Sequence, residues 1–124
     1  MYRRPDLAAQ YYEFRLRRLS HFALELDPSS AMYVDYEQIV GRTDEALHRM
    51  TEFLGLETPL RPEYDVDHTT GVWGAGDGSE HIKAGRVIET KTDYDLDVEP
   101  EWLDRAREVY DDVRADLIAR STVV

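Results

Sequence analysis

Residues 31–36 read Ala-Met-Tyr-Val-Asp-Tyr, a short β-branched and aromatic run that follows Asp-Pro-Ser-Ser at residues 27–30. A run of this kind bounded by turn residues predicts a buried strand. The pattern indicates no second strand, and a lone strand cannot satisfy its backbone N–H and C=O groups. Two interpretations follow: an all-α chain in which residues 31–36 are not a strand, or a strand that pairs with strands outside this chain.

Helical patterns flank this run on both sides. Pro5 and Asp6 suit the first turn of a helix, and Thr43 is predicted to N-cap a second helix that ends at Gly55. A third helix is predicted to open at Pro100. Apolar residues at alternating steps of four and three predict one packing face on the first helix (Tyr12, Leu16, Leu19, Ala23, Leu26) and one on the third (Leu103, Ala106, Tyr110, Val113, Leu117).

The composition narrows the class of protein. The chain has 124 residues, which is the size of one domain, and 42% of them are apolar, as in a folded soluble protein. The absence of cysteine excludes disulfides, thiolate catalysis and cysteine-ligated zinc within this chain. The sequence contains no apolar run long enough to cross a membrane and no apolar stretch typical of a secretory signal, so we expect a cytoplasmic protein.

Charge is distributed unevenly along the chain. The formal net charge is −11, which argues against general nucleic-acid binding because that binding begins with neutralising phosphates. Residues 1–20 nevertheless carry five arginines against two carboxylates, whereas the remainder is acidic. The basic first helix therefore either docks on an acidic surface, carries a solvated arginine face, or faces an anion.

Residues 57–92 are predicted to form a long loop, because prolines interrupt its start and glycines are dense near its end. The glycine-rich segment 71–79 is not a P-loop, since Asp77 follows Gly76 where lysine is required. Just after it, residues 83–86 read Lys-Ala-Gly-Arg. A glycine between two cations allows backbone N–H groups to approach an anion closely, so this segment is a candidate phosphate contact.

Two stretches imitate metal sites, and both fit poorly. Alternating carboxylates at residues 93–101 imitate the start of a calcium loop, but Val98 stands where glycine is needed and Asp104 where glutamate is needed. His68 follows Asp65 and Asp67, which is a weak pattern for a metal site. No Ser–His–Asp arrangement is recognisable.

Three segments occur in a familiar order. Residues 36–40 read Tyr-Glu-Gln-Ile-Val after the predicted strand, and residues 53–56 read Phe-Leu-Gly-Leu at the end of the second helix. Residues 76–87 then read Gly-Asp-Gly-Ser-Glu-His-Ile-Lys-Ala-Gly-Arg-Val, a loop with a Gly-Asp-Pro-Ser-like start and a Lys-x-Gly end. This combination, from about Tyr11 to about Tyr110, resembles the sulfotransferase family.

The resemblance implies an α/β fold with a parallel sheet flanked by helices, like that of the P-loop nucleotide kinases. Residues 1–124 would form a partial domain, the C-terminal portion, mostly helical with one main strand. The family's 5′-phosphosulfate loop and general base lie upstream of the matched segments, and neither motif occurs in this sequence. We therefore expect the N-terminal half to be missing and the isolated chain to be inactive.

The resemblance also implies chemistry and partners. The donor would be 3′-phosphoadenosine 5′-phosphosulfate, the acceptor an unknown hydroxyl or amine, and no metal is expected. Lys83, Gly85 and Arg86 match the stretch that contacts the donor's 3′-phosphate, and no catalytic residue is assigned within this chain. The expected partners are the nucleotide donor, the acceptor and the missing N-terminal half, with neither nucleic acid nor membrane.

Two other functions compete with this one. The chain could be a small acidic helical interaction module without catalysis, whose acidic face meets a basic partner. It could also be a regulatory remnant that keeps only the loop contacting the nucleotide.

Overall fold

The computed structural model describes residues 4–66, 84–89 and 98–123. These form four α-helices and two short strands, so the described part is mostly helical with a small two-stranded parallel sheet. The elements in chain order are α1 (Pro5–Leu24), a 3-10 helix (Pro28–Ser30), β1 (Met32–Tyr33), α2 (Tyr36–Gly41), α3 (Thr43–Leu54), α4 (Pro100–Ala119) and β2 (Thr122–Val123). The chain divides into two compact units, Met1–Tyr33 with Asp93–Val123 and Val34–Thr92 with Val124.

In the first unit, α1 and α4 pack side by side and run in the same direction. The Arg105 guanidinium donates to both carboxylate oxygens of Glu13, at 2.7 and 3.2 Å, and the Ser20 hydroxyl donates to Asp116 at 2.8 Å. The later residue of α1 contacts the later residue of α4, so the two helices are parallel. Among the described residues of this unit, the buried apolar side chains are those of Ala23, Val109 and Val113.

The predicted starts of these helices are confirmed. Pro5 and Pro100 each occupy the first helical turn, where the missing N–H needs no partner. The Asp6 carboxylate, near the positive end of the α1 dipole, accepts two hydrogen bonds from Arg4, at 2.7 and 3.0 Å.

The packing face predicted for α1 is wrong in part. Tyr12 and Leu19 remain 40% and 50% exposed, whereas Glu13 and Ser20 contact α4. The contact face is therefore rotated from the predicted one, although Ala23 of the predicted face is buried as expected. On α4, the most buried position is Val109, which the predicted seam left out in favour of the exposed Tyr110.

The strand predicted over residues 31–36 is shortened to Met32–Tyr33, and its partner lies within this chain. Met32 pairs with Thr122 and Tyr33 with Val123 in a parallel register. The Thr122 N–H also donates to the Ala31 carbonyl at 2.8 Å. The all-α alternative is wrong, because β1 pairs with β2 within this chain. Pairing with strands outside this chain stays a prediction.

The strand ends early because α2, in the second unit, begins at Tyr36. Asp35 is the N-cap of α2, and its N–H donates to the Gln38 side-chain oxygen at 3.0 Å. An Asp followed three residues later by Gln starts a helix, and this local bonding overrides the β propensity of Val34 and Tyr36.

Helix α3 follows α2 after one residue. Thr43 was predicted as its N-cap, but the N-cap is Arg42, and the Thr43 hydroxyl donates back to the Ile39 carbonyl at 2.6 Å. The predicted end is confirmed, because Gly55 is left-handed at φ 63° and the Leu56 N–H donates to the Thr51 carbonyl. Within the described residues, no helix is long and apolar enough to cross a membrane.

Candidate anion-binding site

Two of the three predicted anion contacts, Gly85 and Arg86, belong to the described segment 84–89, and Lys83 lies outside the described residues. The Tyr64 N–H donates to the Gly85 carbonyl at 2.8 Å, and the Val87 N–H donates to the Pro62 carbonyl at 3.1 Å. These two bonds anchor the segment to residues 62–64 in an antiparallel arrangement.

Gly85 is needed for this arrangement. Its φ is +68°, in the left-handed region that glycine adopts without steric cost. A Cβ at this position would lie 3.0 Å from the Tyr64 carbonyl oxygen and 3.5 Å from a methyl carbon of Val66. Glycine at position 85 therefore allows the backbone of this segment to lie close to that of residue 64, whether or not an anion binds.

The segment that anchors Gly85 is itself held to α3. The Thr51 hydroxyl donates to the Leu47 carbonyl at 2.7 Å and accepts the Leu60 N–H at 3.0 Å. Thr51 is a buried polar residue, and its hydroxyl both donates and accepts a hydrogen bond. The left-handed Gly55 turns the chain after α3, and the Thr51 hydroxyl holds Leu60 just before residues 62–64.

Glu63 and Arg86 are directly opposed in the antiparallel bridge. The hydrogen bonds flank this pair instead of joining it, so the Arg86 N–H points away from residues 62–64. In a pair of this type the two side chains project from the same face, about 5 Å apart at Cβ. The structure thus places a carboxylate beside the candidate anion contact.

The Arg86 guanidinium is exposed and has no ion-pair partner within 4.0 Å among the residues that the structure describes. Its surroundings are not basic, however, because residues 61–66 and 84–89 contain two arginines and three carboxylates. Sequence reasoning missed Glu63, since no local pattern links it to Arg86 and only the backbone pairing brings the two together.

The other candidate sites predicted from the sequence fall mostly outside the described residues. His68, the glycine-rich segment 71–79 and residues 93–97 of the calcium-like run lie outside the described residues. In the part of the chain that the structure covers, no three His, Cys, Asp or Glu side chains are grouped as metal ligands.

No protein-family model, no curated protein and no solved structure matches this chain.

Proposed function

We propose that this chain is the C-terminal part of a sulfotransferase that uses 3′-phosphoadenosine 5′-phosphosulfate, within a P-loop-kinase-like parallel-sheet fold. The whole enzyme transfers a sulfuryl group to a hydroxyl or amine acceptor. The observation that carries the proposal is the anchored Gly85–Arg86 turn, in which a left-handed glycine precedes an exposed arginine without an ion-pair partner among the described residues. The order of the three motif segments supports it.

The anchored turn suits a phosphate ligand for two physical reasons. The Arg86 N–H points away from residues 62–64, and an arginine guanidinium binds phosphate oxygens through paired, charge-assisted hydrogen bonds. Two hydrogen bonds already fix the backbone that carries both donors, so binding must order only the Arg86 side chain. Lys83 would supply the second cation.

The contribution of this part of the enzyme is binding and positioning of the donor. In-line transfer of a sulfuryl group depends on alignment of donor and acceptor and on charge stabilisation, as in phosphoryl transfer. The phosphosulfate contacts and the general base are assigned to an N-terminal half, which is the partner that the proposal requires. Isolated, the chain is expected to bind the nucleotide weakly and to transfer nothing.

Binding of adenosine 3′,5′-bisphosphate, observed by NMR, tests the proposal on the 124-residue chain. We expect a dissociation constant in the millimolar range with shifts at the Gly85 and Arg86 amides, and at least about tenfold weaker binding by Arg86→Ala. Arg49→Ala is the matched control, because Arg49 is an exposed arginine on α3 whose ion pair with Glu45 is long, at 4.0 Å. Shifts that avoid residues 84–87, or equal effects of both variants, would overturn the assignment.

A non-catalytic interaction module is the second candidate function. The observation that favours it is the row of exposed apolar residues on α1, which includes Tyr11, Phe14 and Phe22. Exposed apolar patches of this kind mark interaction surfaces.

A further inference from the structure

Helix α1 exposes aromatic and aliphatic side chains on the side that faces away from α4. Phe14 and Phe22 keep 59% and 56% of their surface exposed. At about 100° per residue, they and their neighbours point in the opposite direction to Glu13 and Ser20, which contact α4. This surface, called here the α1 stripe, consists of Tyr11, Phe14, Arg15, Arg18, Leu19 and Phe22.

The two arginines of the α1 stripe lie between its apolar side chains and not at its edges. The Arg15 guanidinium lies 5.9 Å from the centre of the Tyr11 ring, and the Arg18 guanidinium lies 5.8 Å from the centre of the Phe14 ring. In the part of the chain that the structure describes, neither arginine has a carboxylate within 4.0 Å, whereas Arg17, on another side of the helix, has one at 2.9 Å. The stripe therefore combines an apolar surface with two positive charges that the described residues do not neutralise.

These charges restrict what can cover the α1 stripe. A wholly apolar partner would bury two guanidinium groups without counter-charges, and a buried charge without a partner is costly. A partner that brings carboxylates instead forms paired, charge-assisted hydrogen bonds with the guanidinium groups, while its apolar side chains cover the rings. Charge complementarity therefore selects a partner that is both acidic and apolar.

The dimensions of the α1 stripe fit a helix of such a partner. Arg15 and Arg18 are three positions apart, which is about 4.5 Å along the helix axis, and two carboxylates three or four positions apart on a facing helix have a similar spacing. From Tyr11 to Phe22 the stripe extends over about 17 Å, or about three turns. An open cavity of about 620 Å³ lies along it and is lined by every member of the stripe except Tyr11, which leaves room for the side chains of a partner.

We propose that the α1 stripe binds an acidic amphipathic helix of another protein, whose carboxylates contact Arg15 and Arg18. A membrane surface fits the stripe less well. A helix that lies on a membrane buries its apolar face in the lipid and carries its cations on the polar face, whereas Arg15 and Arg18 point in the same direction as the rings. The proposal does not rest on the sulfotransferase function, because neither the nucleotide nor the Gly85–Arg86 turn takes part in it.

The expected affinity of this contact is modest. One helix face buries less than the standard interface of about 800 Å² per partner. The net charge of −11 also repels an acidic partner at long range, although charges more than about 8 Å apart are largely screened at about 0.15 M salt. We therefore expect a dissociation constant of about 100 μM at that salt concentration.

Two synthetic peptides test the charge requirement by NMR on the 124-residue chain. The first is a blocked helical peptide of about three heptads with leucine at positions a and d and glutamate at e and g, and in the second glutamine replaces every glutamate. The glutamate peptide should shift the amides of residues 11–22, and the glutamine peptide should bind at least about tenfold more weakly. Equal binding of both peptides, shifts that avoid α1, or no binding of the glutamate peptide at about 1 mM would overturn the proposal.

Arginine substitutions then locate the charge contact. Arg15→Gln and Arg18→Gln should each weaken binding of the glutamate peptide by about three- to tenfold and leave binding of the glutamine peptide unchanged. Both positions are exposed, so the helical circular dichroism should not change. Arg107→Gln is the matched control, because it removes the same charge from an exposed position on α4. If this control weakens binding as much as the stripe variants do, overall charge governs the interaction and the proposal fails.

Lipid vesicles distinguish a membrane from a protein partner. Phosphatidylserine vesicles should sediment no more of the chain than neutral phosphatidylcholine vesicles do. Sedimentation with phosphatidylserine that is lost in Arg15→Gln would assign the α1 stripe to a lipid surface and overturn the proposal. No nucleotide is present in any of these measurements, so their failure leaves the sulfotransferase proposal unaffected.

Discussion

Glu63 and Arg86 face each other in an antiparallel pair whose two flanking hydrogen bonds run between Tyr64 and Gly85 and between Val87 and Pro62. The pairing places a carboxylate next to the arginine that is the best candidate for a phosphate contact. An incoming anion must therefore compete with a counter-charge that the fold itself supplies. We therefore expect Glu63 to weaken an anion contact at this turn.

Glu63→Gln should strengthen the binding of adenosine 3′,5′-bisphosphate by about two- to fivefold, because a carboxylate directly across the bridge from Arg86, without forming an ion pair with it, weakens an anion contact by at most about 1 kcal/mol. Titration by NMR or calorimetry measures the change. Glu52→Gln, on the exposed face of α3, removes the same charge away from Arg86 and should leave the affinity unchanged. Equal gains in both variants would mean that net charge, and not the Glu63–Arg86 pairing, governs binding.

Gly85→Ala should destabilise the turn by about 2 kcal/mol, because alanine is strained at φ +68° and its Cβ would approach the Tyr64 oxygen at 3.0 Å. Hydrogen exchange at the Tyr64 and Val87 amides should accelerate accordingly. Gly55→Ala shares the positive φ but has no atom within 4 Å of its Cβ, so it should cost about 1 kcal/mol. The same cost at both positions would contradict the close approach of Gly85 to residue 64.

Thr51→Val should lower the free energy of unfolding by about 1 kcal/mol, because the Leu60 N–H loses its acceptor. Chemical denaturation measures the loss. Thr43→Val is the matched control, since the Thr43 hydroxyl only donates to the Ile39 carbonyl one turn earlier in the chain, and its removal should be nearly neutral. If Thr43→Val proves as costly as Thr51→Val, the bond to Leu60 does not hold this segment.

The Glu13 carboxylate is predicted to make stability depend on pH. Hydrogen bonds from Arg105, and secondarily from Arg17, lower the pKa of Glu13 below its ordinary value of 4.5. A lowered pKa in the folded state stabilises the protein above the unfolded value, and the contribution disappears as pH falls through the folded value. The α1–α4 pairing should therefore weaken in acid.

The melting temperature of Glu13→Gln, compared with wild type between about pH 3 and pH 7, measures this effect. The variant should melt lower at neutral pH and converge with wild type below pH 4.5. Glu108→Gln removes a carboxylate that touches the same Arg105 at 3.3 Å but lies 65% exposed, and its effect should be smaller. A difference at Glu13 that persists undiminished at the acid end would show that its ionisation is not the cause.

The helices could be predicted from the sequence because their signals are local. Pro5, Pro100 and Gly55 mark helix ends through the conformations that proline and glycine favour, and the structure confirms all three. The partner of β1 could not be predicted, since β2 consists of Thr122 and Val123 alone and a two-residue strand has no period to detect. Its pairing is set by the parallel course of α1 and α4.

The site could be predicted only in part for a similar reason. Gly85 and Arg86 are neighbours in the sequence, so the motif was visible, and the positive φ of Gly85 agrees with the need for glycine there. Glu63 enters through a backbone pairing between distant segments, which no local pattern encodes. Apolar periodicity predicts the contact face of α1 only in part, because Ala23 is buried but Glu13 and Ser20 bind α4 through polar groups that this pattern does not register.

The measurement that tests the central claim most directly compares adenosine 3′,5′-bisphosphate with adenosine 5′-monophosphate on the same chain by NMR titration. A contact between Arg86 and the 3′-phosphate predicts shifts at the Gly85 and Arg86 amides with the bisphosphate, weaker shifts with the monophosphate, and no difference between the two ligands in Arg86→Ala. Identical titrations of both nucleotides by the wild-type chain, or a preference for the bisphosphate that survives in Arg86→Ala, would contradict the account.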